Sequence, residues 1–116
     1  MRERRQVPRY KFHQIGRLMS LSNDTLSQVS FNTLSVRGCR VKGASIPAVG
    51  QKCRLVFEWE GKQFEDAVEV MWKKPSGEAG LTFPSLGESS LQLIRSLCAT
   101  LHLEPMTPAP PEPEDD

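Results

Sequence analysis

The chain has 116 residues, of which 38% are hydrophobic and 25% charged, and its formal net charge is +1. That length and balance suit one globular domain that can bury a core without disulfides or metal. No apolar run approaches the ~18 residues of a membrane span, no apolar segment follows the basic start as a signal peptide requires, and Cys39, Cys53 and Cys98 are odd in number and lack CxxC spacing, so neither a membrane protein, a secreted disulfide scaffold nor a zinc module is expected, and the chain is expected in the cytoplasm.

Charge is distributed unevenly along the chain. Residues 1–11 carry Arg2, Arg4, Arg5, Arg9 and Lys11 against Glu3 alone, whereas the last five residues include Glu112, Glu114, Asp115 and Asp116. The folded part is therefore basic, which points to an anionic partner. Residues 1–12 show no periodicity, and Pro8 removes a backbone donor and biases Val7 toward extended conformations. A basic arm or irregular lead-in strand is predicted there.

Strand signals begin at Ile15. The run IGRLMSLS ends in a turn cluster around Asn23 and Asp24. In LSQVSF, Val29 and Phe31 are in phase and Leu26 is out of phase; CRV then places Cys39 and Val41 on one face, and GASIPAVG reads as a loop closed by Gly50. The clearest strand is CRLVFEW: Cys53, Leu55, Phe57 and Trp59 alternate with Arg54, Glu58 and Glu60, broken only by Val56. Period two with one polar face predicts an antiparallel strand wet on one side. A hairpin turn at Glu60–Lys62 leads into a return strand with Phe64, Val68, Val70 and Trp72 in one phase. After a turn at Pro75–Gly77, Ala79, Leu81 and Phe83 are again in phase. The period then switches: Leu91, Ile94, Leu97, Cys98 and Leu101 fall at helical spacing, predicting a helix over 87–103, with Ser85 and Glu88 at capping-box spacing. About six strands and one amphipathic helix imply a curled sheet whose open side or end the helix covers. From Pro105 onward, PMTPAPPEPEDD is too rich in proline and acid to form a core, and a disordered tail is predicted over 105–116. The expected layout is a basic arm over 1–12, the β domain with its helix over 13–104, and the tail.

Two segments carry chemistry. Arg5 and Arg9 form an RxxxR pair. In an extended chain four residues span about 13 Å and return the side chains to one side. Two guanidinium forks so placed could clasp a phosphate-bearing or planar ligand, because the fork matches phosphate oxygens and the O6/N7 edge of guanine and its plane stacks on bases. The second is TLSVRGCRV, Thr33 to Val41, where Thr33 and Ser35 fall on one side of an extended chain and Gly38 offers either a positive φ or close approach of a ligand to the backbone. Taken singly, the first also describes a basic tail without a defined partner and the second an ordinary turn. No nucleophile with a neighbouring base is evident, and His13 and His102 lack evident partners, so no enzyme is expected. The aromatics run in phase with the core rather than along a charged face, so a single-stranded nucleic-acid site is not expected.

An RxxxR arm, an SxxG segment about two dozen residues later, then strands closed by a C-terminal helix resemble the PilZ domains, bacterial domains that bind cyclic di-GMP. The likeness runs from about Arg4 to Leu103, and VEVMWKK followed by GLTF is similar to the family's late-strand pattern. The resemblance implies an all-β fold with one C-terminal helix, built as a six-stranded antiparallel barrel. It implies no catalytic residue, no cofactor and no metal, with cyclic di-GMP as ligand. Arg5 and Arg9 match the arginines that clamp guanine edges and phosphates. Arg4 matches a further arginine of some members and implies a stacked pair of ligand molecules. Ser35 and Gly38 match the serine and glycine. Thr33 stands where the family has an acid or amide, and losing that pairing with a guanine edge would cost on the order of 1–3 kcal/mol. Asn32 beside it faces the other way unless the strand carries a bulge. Trp72 and Lys74 stand where some members contact ligand, although the phase of Trp72 with Val68 and Val70 favours core packing for the indole. The implied function is a receptor whose arm orders over the nucleotide beside Ser35 and Gly38 and so presents a new surface to an unidentified protein effector. Neither membrane nor nucleic acid is an expected partner. The alternative is a degenerate PilZ domain that no longer binds nucleotide and acts as a protein-interaction adaptor in motility or signalling.

Overall fold

Period-two alternation of apolar residues resolves into strands that close on themselves. The computed structural model describes residues 8–22 and 25–101. Its elements are β1 (Tyr10–Lys11), β2 (Ile15–Ser20), β3 (Leu26–Leu34), β4 (Gly38–Gly43), β5 (Lys52–Trp59), β6 (Lys62–Lys73), β7 (Glu78–Thr82) and α1 (Glu88–Cys98). All pairings are antiparallel. The order β3-β2-β5-β6-β7-β4 returns to β3 through the β3–β4 pairing, so six strands form a closed barrel. Closure leaves no long unpaired strand edge. β1 pairs with the end of β3, Tyr10 opposite Leu34 and Lys11 opposite Thr33, past the point where β2 stops at Ser30. The lead-in segment is thus laid along the barrel wall from residue 10 onward.

The interior is filled by the residues whose phase predicted it. Val29, Phe31, Val41, Cys53, Leu55, Phe57, Phe64, Val68, Val70, Ala79 and Leu81 are buried. All five phenylalanines form one aromatic chain, Phe12–Phe31–Phe57–Phe64–Phe83, with successive ring centroids 5.0 to 5.7 Å apart. Phe12 belongs to this core, although the sequence assigns it to the arm. In β2 the inward positions are Gly16, Leu18 and Ser20, and Ile15 faces out. Gly16 lies where an added Cβ would stand 2.8 Å from the Phe31 ring. The three cysteines are free and buried. Burial raises all three thiols, Cys98 to about 11, so they remain protonated and pack as small apolar groups. Among the described residues no helix is long and apolar enough to cross a bilayer.

The helix departs from expectation at both ends. It covers Glu88–Cys98, not 87–103, and its buried face is Leu93, Ile94, Leu97 and Cys98, with Leu91 only half-buried. Its N-cap is Gly87, and no local side chain caps it, so the Ser85–Glu88 capping box does not form. A residue remote in sequence serves instead. Asp66 on β6 accepts from the Gly87 amide at 3.0 Å through Oδ2 and from the Ala67 amide at 2.8 Å through Oδ1. Burial alone would raise the Asp66 carboxyl, but these two amides, the Ser90 side chain and the charge of Arg54 outweigh it and hold it below its ordinary value. One carboxylate thus ties helix to barrel. Its stabilisation is complete above the unfolded value of about 3.9 and is lost as pH falls through the lower folded pKa. Asp66→Ala is expected to lower the unfolding free energy by about 1–2 kcal/mol at neutral pH. The gap to wild type should narrow in strong acid; urea titrations at neutral and acid pH measure both.

Candidate ligand-binding site

Two strand irregularities create the site. Along β3, Ser27, Val29 and Phe31 point inward. Opposite β4, Phe31 pairs with Val41 but Thr33 pairs with Arg40, so Asn32 is an extra residue on β3. Such a bulge reverses the phase of everything after it. Leu34 therefore enters the core, and Thr33 turns to the outer wall. On β6 the same happens at Met71: Val70 pairs with Leu81 and Trp72 with Gly80. Trp72 is consequently 38% exposed and is not core, contrary to its apparent phase with Val68 and Val70. Asn32 occupies the bulge itself, and its carbonyl accepts from the Phe12 amide at 3.1 Å.

With both phases reversed, one row crosses five strands on the outer wall: Lys11, Thr33, Arg40, Gly80 and Trp72. At Gly80 an added Cβ would stand 2.3 Å from the indole nitrogen of Trp72. The missing side chain is what lets the indole lie across β7. Lys74 Nζ sits 5.6 Å from the Trp72 ring centroid, a cation–π contact, and 3.8 Å from Glu78 Oε1.

Around this row lies an open concavity of about 210 Å³. Arg9, Thr33, Ser35, Gly38 and Trp72, five of the residues singled out from the sequence, line it together. Lys74 joins only through Trp72. Arg4 and Arg5 lie outside the described residues, as does the tail. Sequence reasoning missed Arg37, Arg40, Met71, Gly80 and Thr82 in the lining. Arg40 was legible as an outward residue between Cys39 and Val41, but the strands that flank it were not.

Ser35 and Gly38, besides lining the concavity, also shape the backbone around it. The Ser35 hydroxyl accepts from the amides of Arg37 (3.1 Å) and Gly38 (3.2 Å) and donates to the Gly38 carbonyl (3.3 Å). It builds the turn and thereby presents Arg37, whose carbonyl accepts from Phe83 N at 2.9 Å and Thr82 Oγ1 at 3.3 Å. Gly38 has no positive φ. An added Cβ there would stand 2.2 Å from the Leu81 carbonyl oxygen, so the backbone that approaches it closely is that of β7. Among the described residues the lining is thus rich in arginine, holds no carboxylate, and carries one exposed indole, a set able to take a phosphate-bearing ligand with a flat base.

The family model of the PilZ domain matches residues 3–100. No curated protein sequence matches. Among solved structures, the chain is similar to the PilZ domain of CeSA from a cellulose-synthesizing bacterium, at 13% identity and TM-score 0.67 over 78% of this chain and 94% of that one. It is also similar to the Bacillus subtilis inhibitor of motility MotI/DgrA, at 17% identity and TM-score 0.65 over 84% of this chain, which spans 50% of that one. The PilZ domain of Escherichia coli YcgR, whose structure contains c-di-GMP, is similar at 11% identity and TM-score 0.66 over 85% of this chain and 92% of that one. At such identities the likeness is one of fold.

Proposed function

We propose, from the premise that this chain belongs to the PilZ domain family, that it is a receptor for cyclic di-GMP. The nucleotide rests on the outer wall, on the row Lys11–Thr33–Arg40–Gly80–Trp72, and Arg9 closes on it together with Arg4 and Arg5 of the preceding arm. Bound ligand then holds the arm that precedes Tyr10 against the barrel, and the composite surface is read by a protein effector. One observation supports this reading above the others: five separately identified sequence positions line a single concavity that also gathers Arg37 and Arg40 and, among the described residues, has no lining carboxylate. Arginine forks supply charge for two phosphates, and the Trp72 indole supplies a face for a base.

Calorimetry at moderate salt is expected to give a Kd in the micromolar range or tighter for cyclic di-GMP. Arg9→Ala should weaken binding by about tenfold or more, since a charge-assisted hydrogen bond contributes about 1.5–3 kcal/mol. Added salt should weaken binding through release of counterions. No heat up to high micromolar nucleotide would favour the adaptor reading. That second reading draws on one observation of its own: the Ser35 hydroxyl is engaged inside its turn, and the neighbouring Thr33 brings no charge.

A further inference from the structure

We infer that Thr33 makes this site read the charge of its ligand more than the identity of its bases, so that it accepts adenine-containing as well as guanine-containing cyclic dinucleotides; this rests on the receptor reading above. Guanine differs from adenine on its pairing edge by two donors, N1–H and N2–H₂, where adenine offers an N1 lone pair. Strong selection for guanine there needs an acceptor-only group, and an ionised carboxylate is one. Among the described residues, neither a carboxylate nor an amide side chain lines the concavity.

The hydroxyls in the lining are Thr33, Ser35 and Thr82. The Ser35 oxygen is occupied by two amides, and Thr82 Oγ1 donates to the Arg37 carbonyl. Thr33 remains. It is 5% exposed, and its hydroxyl makes no hydrogen bond to any described residue. A buried hydroxyl without a partner awaits one from the ligand. It rotates to accept from guanine N1–H or to donate to adenine N1, and so satisfies either edge. Its cross-strand neighbours on the outer face are Lys11 and Arg40. Thr33 adds no charge of its own between these two cations. The indole face of Trp72 is indifferent to which purine stacks on it. The guanidinium forks retain some preference for guanine through its O6/N7 edge, which sets an upper bound on discrimination and does not abolish it.

Equilibrium dialysis of the full chain with cyclic di-GMP and cyclic di-AMP tests this. The ratio of the two affinities in wild type is expected to lie below about 100-fold, short of the 10⁴–10⁵ that a dedicated hydrogen-bonding site attains. Thr33→Asp, whose carboxylate is balanced by Lys11 and Arg40, should widen the ratio by about tenfold or more. Thr33→Val keeps the shape and removes the hydroxyl; both nucleotides should then weaken by the same factor of about three to ten. A wild-type ratio of 100-fold or above, a smaller widening in the Asp variant, or unequal losses in the Val variant overturns the inference and leaves the receptor intact. If neither dinucleotide binds, the receptor reading itself falls.

Discussion

Alanine in place of Phe12 is expected to lower the unfolding free energy by about 3–5 kcal/mol and, in the fraction that stays folded, to weaken cyclic di-GMP binding by about tenfold. The ring is 4% exposed. It packs edge-on against Phe31 at 5.0 Å and Phe57 at 5.5 Å, with interplanar angles of 66° and 63°. Each such pair contributes about 0.5–1.5 kcal/mol beyond its area burial. Removing the ring opens a cavity where the lead-in segment meets the barrel, a junction to which the short β1 pairing, the packing of Tyr10 and the Phe12–Asn32 backbone bond also contribute. Arg9 lies three residues before this anchor and lines the concavity. The same ring therefore serves both stability and the placement of a binding arginine. Leu55→Ala is the comparison. Leu55 is fully buried on β5, away from the lead-in segment, and its loss should cost about 2–5 kcal/mol while leaving affinity unchanged. Urea titration and calorimetry on both variants separate the two effects. A Phe12→Ala protein as unstable as expected but with wild-type affinity would mean that Arg9 is held by something other than this ring.

Gly38→Ala is expected to be nearly as damaging, for a different reason. The new Cβ would stand 2.2 Å from the Leu81 carbonyl oxygen and 3.1 Å from the Thr82 Cα. Both are backbone, so relief requires parting β4 from β7, and Gly38 pairs with Thr82 at the end of that ladder. Overpacking of this kind costs about 1–3 kcal/mol in a core that can adjust; against rigid paired backbone we expect about 3 kcal/mol or more. Gly38, Leu81 and Thr82 all line the concavity, so ligand binding should be lost even below the melting temperature. Gly87→Ala is the control. Its Cβ would meet only Asp66 Oδ2, at 3.8 Å, and its φ of −67° suits any residue. Thermal melts should show a drop of many degrees for the first variant and almost none for the second. Equal melts would mean that β7 yields at Leu81 far more easily than its pairing suggests.

How much of this could be read along the chain depends on whether the relevant force is local. Cys53, Leu55 and Phe57 proved buried because alternation on a one-sided strand is a local consequence of pleating. The hairpin at Glu60–Gly61, where both residues have positive φ, was legible for the same reason. The helix was legible in kind but not in its cap, because Asp66 lies 21 residues before the amide it serves. Two bulges, at Asn32 and Met71, were not legible at all. Each adds one residue on one strand only, and nothing in the alternation of β3 or β6 announces it.

By itself, then, the order of residues determined the strands, the helix, the composition of the core and the presence of a basic lead-in with a serine–glycine turn. The closed barrel decided which outward residues became neighbours. A small closed sheet must bend sharply, and bulges relieve that bending by inserting a residue. Their by-product is a reversed phase at Thr33 and Trp72, which brings both to the outer wall on either side of Arg40 and Gly80. Pleating acts between adjacent residues and can be read in sequence; barrel curvature acts across strands dozens of residues apart and exists only once the sheet has closed.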